Sequence, residues 1–133
     1  KDREELDKVI PLLPDIKFIC GNANKLPFEN ESFDVVFTSA LFCMVSPLEV
    51  ENILNEIIRV AKKYIILVEL DTIPFLEVID HDRVGANWVS LFKARGFEAK
   101  KRKITKEEWG CMPWRPYGYV VVANKKNTIN PIL

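Results

Sequence analysis

Four short polar stretches hold the side chains of this chain that could do chemistry. They are Gly21-Asn22-Ala23-Asn24, Thr38-Ser39-Ala40, Glu69-Leu70-Asp71 and Ile79-Asp80-His81-Asp82-Arg83. Each of the first three closes an apolar run. In an open α/β sheet, ligands bind at the carboxyl ends of the strands, where such residues lie. Carboxamides, a hydroxyl and backbone N–H groups in these places can hydrogen-bond a polar small molecule. Glu69, Asp71 and His81, the one histidine, are the candidates for taking a proton. Each residue also has a plainer role open to it. Asn22 and Asn24 suit a turn after Gly21, and Ser39 suits a strand-end hydrogen bond. His81 suits a helix start or the surface, and the two carboxylates suit a structural pairing at a strand end.

Elements able to position these stretches can be read along the chain. Asp2 to Ile10 reads as a short charged helix with Leu6, Val9 and Ile10 on one side, stopped by Pro11 and Pro14. Ile16 to Cys20 reads as a strand ended by Gly21. Phe33 to Phe37, apolar apart from Asp34, reads as a strand covered on both faces. Asp34 must then be paired, because a lone buried acid is costly. The spacing of Val50, Ile53, Leu54, Ile57, Ile58 and Ala61 predicts an amphipathic helix. Ser46 is its expected N-cap, Pro47 its first residue and Glu49 the partner in a capping box. Lys62 and Lys63 follow where a helix end favours cations. Tyr64 to Val68 reads as a continuous apolar strand. A further helix is expected from about Asp82 to Arg95, with Val84, Trp88, Leu91 and Phe92 inward and Gly96 as its stop. Phe97 to Ile104 and Tyr117 to Ala123 read as two strands with no helix between them, and so as antiparallel neighbours at one edge. The loop between them carries Trp109, Met112, Trp114 and Tyr117, which either wall a ligand pocket or pack over the sheet edge. Lys100 to Lys103 read as a solvated edge strand.

Strands alternating with helices predict an α/β layer fold. At 133 residues and 48% apolar content the chain can bury a core of its own. A formal net charge of zero gives no general affinity for nucleic acid or an acidic membrane. Cys20, Cys43 and Cys111 lie far apart, without the spacing of a zinc site or a disulfide framework, so no metal is expected and a reducing, cytoplasmic setting fits. The N-terminal KDREELDK is no signal peptide, and no apolar run is long enough to span a bilayer. Residues 1–126 read as one domain and 127–133 as a tail.

The block GNANKLPFENESFDVVFTSALFCM, followed by EIIRVAKKYIILVEL, resembles the class I S-adenosylmethionine-dependent methyltransferases, in particular the small type 11 domain group. The late LFKARGFEAKKRKI and YGYVVVANK are similar to the family's closing segment. The resemblance implies a Rossmann-like sheet, mostly parallel with an antiparallel last strand, in the order 3-2-1-4-5-7-6. It implies S-adenosylmethionine as cofactor and a small-molecule methyl acceptor. Asn22 stands where the family has an acidic residue that accepts from the adenine amino group, and its amide oxygen can do the same without a charge. Ala23 would offer its N–H to an adenine ring nitrogen. Asn24 belongs to the same turn. Ser39, with Ala40, matches the position beside the methionine part. Leu26, Pro27 and Phe28 would wall the adenine side, and Asp34 is structural. Methyl transfer from an activated sulfonium draws much of its rate from in-line orientation. A base is needed only where the acceptor must lose a proton, and His81 and Glu69 are the residues named for that role.

The family's Gly-rich turn after its first strand has no counterpart among the five glycines, Gly21, Gly85, Gly96, Gly110 and Gly118. Nor does the acidic residue that holds the ribose at the end of the second strand. The expected sheet is therefore truncated, with the first two family strands absent and an apolar edge open to a second copy or a partner chain. Two functions stay open: the C-terminal part of a methyltransferase, or a non-catalytic module of the same fold used for binding or assembly. A generic nucleotide-binding domain lacks any phosphate-binding Gly loop.

Overall fold

A computed structural model describes residues 2–72, 76–80, 83–109 and 117–125. The elements are α1 (Asp2–Val9), a 3-10 turn (Ile10–Leu12), β1 (Phe33–Ser39), a second 3-10 turn (Phe42–Met44), α2 (Val50–Val60), β2 (Ala61–Leu70), β3 (Leu76–Asp80), β4 (Arg83–Ala86), α3 (Trp88–Ala94), β5 (Glu98–Lys103) and β6 (Gly118–Asn124). Four strands form one sheet in the order β1-β2-β6-β5, and β3 pairs with β4 in a separate ribbon. β1 runs parallel to β2, whereas β6 is antiparallel to both β2 and β5. Three strands thus point one way and the last opposes them, the 4-5-7-6 half of the expected order. β5 and β6 are antiparallel neighbours, as expected from the sequence pattern, with β5 outermost.

The core lies on one face of this sheet. Val50, Ile53, Leu54, Ile57 and Val60 of α2 are buried, following the helical period, and the first four pack with Ile65, Leu67, Trp88, Leu91, Phe92, Val121 and Ala123. Gly96 ends α3 with φ of 80°, the left-handed region that glycine enters without strain. A Cβ there would meet nothing within 4 Å, so the cost of Gly96→Ala is backbone strain alone. We expect a loss of about 1 kcal/mol, read as a lower urea midpoint at unchanged slope.

Several expectations fail for identifiable reasons. Ile16–Cys20 is not a strand: this stretch makes no ladder with β1, whose outer edge has no sheet neighbour among the described residues, and most of it is exposed. β1 is not covered on both faces. It is an edge strand on which Phe33, Val35 and Phe37 are 39%, 45% and 60% exposed. Asp34 is likewise at the surface, in a 2.9 Å ion pair with Lys63. Lys63 and Lys62 belong to β2 and not to a helix end.

α2 begins at Val50 instead of Pro47. Half of the expected box forms, with the Ser46 N–H donating to Glu49 Oε2 at 3.3 Å. Ser46 Oγ, however, accepts from Leu48 N within a turn, and Glu49 Oε1 is drawn to Asn24. The late helix starts at Trp88, six residues after the expected Asp82. Arg83–Ala86, Val84 included, is taken by the ribbon with Leu76–Asp80, and Asn87 caps α3 by accepting from Ser90 N at 3.1 Å.

Candidate functional site

The carboxyl ends of β1 and β2 are tied together by one buried side chain. Glu69 has no exposed surface. Its Oε1 accepts from Thr38 Oγ1 at 2.8 Å and from Leu41 N at 3.0 Å, and its Oε2 accepts from Phe42 N at 3.1 Å. Ala40 between these donors has φ of 54°, unusual for a residue with a Cβ, and its N–H donates to Val68 O at 3.0 Å. The carboxylate thus pins a bent loop, Thr38 to Phe42, over the end of β2. Burial pushes the Glu69 carboxyl up to about 7 against the lowering effect of its three donors. Both Glu69 oxygens are thus engaged inside the protein, where they hold the loop.

Asp71, two residues on, is also buried. It is held by Lys101 Nζ at 2.5 Å, by Trp88 N at 3.4 Å and through its own N–H to Tyr117 O at 2.7 Å. Lys101 lies 4.9 Å over the Tyr119 ring, so one residue of the basic run is committed to a strand-end pair. Arg102 is paired with Glu108 at 2.8 Å. Trp109 packs with Cys43, Leu70 and Ile104, and Tyr117 is exposed. His81, Met112 and Trp114 lie outside the described residues.

The loop after Gly21 is built as a turn. Asn22 Oδ1 accepts from Asn24 N at 2.9 Å and Asn22 O from Lys25 N at 3.0 Å. Asn24 Nδ2 donates to Glu49 Oε1 at 2.7 Å, and Asn52 Nδ2 donates to Asn24 Oδ1 at 3.0 Å. Arg59 of α2 then donates to Leu26 O at 3.1 Å, Phe28 O at 2.7 Å and Asn30 Oδ1 at 3.0 Å, while Glu56 accepts from Leu26 N at 2.8 Å. Arg59, and after it the Leu26 N–H, hold the Glu56 carboxyl down at about 2. Glu56 and Arg59 fall between the apolar positions of α2, on its polar face. Their role in seating the loop was legible only in the facing carbonyls, which carry no sequence signature.

Ala23, Leu26 and Phe28 of this loop meet β1 and its end, including Thr38 and Leu41, around an apolar groove of about 310 Å³. The Phe28 ring meets Phe33 edge-on at 4.9 Å. The groove therefore gathers two of the sequence-predicted stretches, through Ala23 on one side and the Thr38 strand end on the other. Asn22 and Ser39 are exposed beyond its lining, and the Asn24 side chain is turned to α2. Among the described residues no group of His, Cys, Asp or Glu could hold a metal ion, and no helix is long and apolar enough to cross a membrane.

A family model described as a methyltransferase domain matches residues 1–68, half of the chain. No curated protein matches it. Solved structures do. A S-adenosylmethionine-dependent methyltransferase of Methanosarcina mazei is 22% identical with a TM-score of 0.56, over 82% of this chain and 66% of its own. The 1,6-didemethyltoxoflavin-N1-methyltransferase of Burkholderia thailandensis, solved with 1,6-didemethyltoxoflavin and S-adenosylhomocysteine bound, is 15% identical with a TM-score of 0.63, over 86% and 55%. A Thermotoga maritima enzyme described as a possible histamine N-methyltransferase is 22% identical with a TM-score of 0.56, over 90% and 70%. At these identities the likeness is one of fold. The chain spans 66% or less of the first two of these structures' own lengths.

Proposed function

Because this chain belongs to the methyltransferase-domain family, we propose that it forms the adenine- and methionine-side wall of an S-adenosylmethionine site, in a protein that methylates a small-molecule acceptor. The observation that carries this reading is the shared groove. Loop residues Ala23, Leu26 and Phe28 and strand-end residues Thr38 and Leu41 face one apolar space. Its walls suit the faces of a purine, and polar groups lie at its margins: the Asn22 carboxamide, the Ala23 N–H, and the Ser39 hydroxyl with the Ala40 backbone. These residues fit the cofactor's two ends. Asn22 and Ala23 would take the adenine edge, with Asn24 fixing their turn, and Ser39 and Ala40 would flank the methionine part. Bound S-adenosylmethionine supplies an electrophilic methyl group. The chain's own contribution is orientation and exclusion of water by Leu26, Phe28 and Leu41. His81 and Glu69 are the residues proposed as a base in this reading, Glu69 through a carboxylate that also holds the Thr38–Phe42 loop.

A second reading rests on the uncovered β1. Three apolar side chains on one exposed edge strand favour a partner, a second copy or another chain, that completes the sheet. On that reading cofactor binding follows assembly. A cytoplasmic setting and a domain reaching residue 126 belong to the same proposal, the setting supported by cysteines that lie far apart in sequence, at 20, 43 and 111.

Calorimetric titration of the chain with S-adenosylmethionine tests the first reading, and sedimentation tests the second. Binding by the monomer, weakened at least roughly fivefold by Asn22→Ala as the hydrogen bond to the ligand and the turn bond from Asn24 N are lost, is the expected result. Absence of binding at millimolar cofactor in both monomeric and assembled fractions would remove the cofactor site from this chain.

A further inference from the structure

The polar face of α2 makes more contacts with the loop than a solvated helix face needs. Arg59 donates to two loop carbonyls and to Asn30, and its own carbonyl accepts from Glu31 N at 2.8 Å. Glu56 holds both Arg59 Nε, at 2.7 Å, and Leu26 N. Asn52 and Glu49 hold Asn24. One helix face thus fixes the loop from Asn24 to Glu31 at both its backbone and its side chains. We propose that Arg59, oriented by Glu56, is a positioning residue that sets the purine-recognising geometry of this loop without touching the ligand.

The inference rests on the cofactor reading above and deepens it. Backbone carbonyls at residues 26 and 28 drawn to a single guanidinium fix the curvature of the loop that bears Leu26 and Phe28. That curvature in turn fixes how far Ala23 stands from Thr38 and Leu41 across the groove. The planar fork of arginine matters here, because it reaches Leu26 O, Phe28 O, Asn30 and Glu56 from one rigid group. A lysine ammonium offers three donors on a flexible stem and cannot span the same acceptors.

The test uses the full chain and two probes, S-adenosylhomocysteine and its inosine analogue, in which the purine amino group is replaced by an oxygen. Calorimetry gives both dissociation constants for the parent, Arg59→Lys, Glu56→Gln and Arg102→Lys. The last replaces the arginine's two-point pairing with Glu108, remote from the loop, by a single ammonium contact, and circular dichroism checks that each variant is folded. The parent should prefer the adenine probe. Arg59→Lys should weaken that probe about tenfold, the effect of losing one charge-assisted hydrogen bond's worth of organisation, and should shrink the preference between the probes. Glu56→Gln should do the same to a lesser degree, and Arg102→Lys should change neither. A purely structural role for Arg59 would weaken both probes alike or only lower the melting temperature, and either result overturns the proposal. So does an unchanged preference in a folded Arg59→Lys chain. A parent that binds neither probe removes the cofactor reading itself and the positioning role with it, an outcome distinct from a parent that binds and a variant that does not change.

Discussion

Glu69→Ala should destabilise the chain by about 4 kcal/mol at pH 5 and by only about 1 kcal/mol at pH 8. The loss at low pH follows from what the side chain holds. Removing it leaves the Thr38 hydroxyl and the N–H groups of Leu41 and Phe42 in a site with no exposed surface at Glu69, and each orphaned donor costs roughly 1–3 kcal/mol. The pH dependence follows from the carboxyl itself. Its folded pKa is raised from 4.5 to about 7, first by burial, so the folded state binds more protons than the unfolded state between those values. Its contribution to stability is fully present below about pH 4.5 and falls as pH rises through 7. The fall is roughly 3 kcal/mol for a shift of this size. Glu69→Gln, neutral at every pH, should flatten that slope. Urea denaturation followed by circular dichroism at both pH values measures it. Parallel stability profiles for the parent and Glu69→Gln would show that Glu69 does not titrate in this range.

The same residue shows where sequence reasoning stops. A Glu at the end of an apolar run can be read as a base or as a structural pair, and its position at the strand end marks it as worth attention. What reveals the structural pairing is the direction of three donors supplied from residues 38–42, brought close by the parallel register of Thr38 on Leu67 and Ser39 on Val68. That register is a tertiary fact. The α2 helix, the two apolar strands and the antiparallel closing pair were legible because each has a period and a stop: Val50 to Val60 at helical spacing, Gly96 after α3, no crossover helix before Gly118. The β3–β4 ribbon was missed because Arg83–Ala86 adjoins a helix and shares its apolar residues with the helical pattern. Asn87, three residues before Ser90, is the cap that could have marked the boundary. Ile16–Cys20 has the composition of a strand, but a strand is realised only against a neighbour. On the site, the turn residues Asn22 and Asn24 were readable as a turn, whereas the dependence of that loop on Glu56 and Arg59 was hidden, because a charged helix face looks the same in sequence whether water or a loop lies against it.

Trp88→Ala should come close to unfolding the chain, with a loss of about 4–5 kcal/mol, against a total stability that for domains of this size is on the order of 5–15 kcal/mol. Trp88 is fully buried. Its ring meets Phe42 at 4.5 Å between centroids, and Phe42 is the last residue of the loop that Glu69 pins. Its Nε1–H donates to Leu70 O at 2.7 Å, and its backbone N–H donates to Asp71 Oδ2. One side chain therefore packs α3 against the loop at the end of β1 and satisfies a carbonyl at the end of β2. Truncation opens a cavity in the largest packed cluster and orphans a buried acceptor as well. The two contributions separate in Trp88→Phe, which keeps most of the aromatic surface but removes the donor. It should cost about 1–2 kcal/mol, with the chain still folded and the Glu69-dependent pH slope intact, because the loop keeps its three hydrogen bonds. Urea midpoints by circular dichroism at pH 5 and pH 8 measure both. If Trp88→Phe were as damaging as Trp88→Ala, the hydrogen bond to Leu70, and not the packing on Phe42, would be what couples α3 to the site loop.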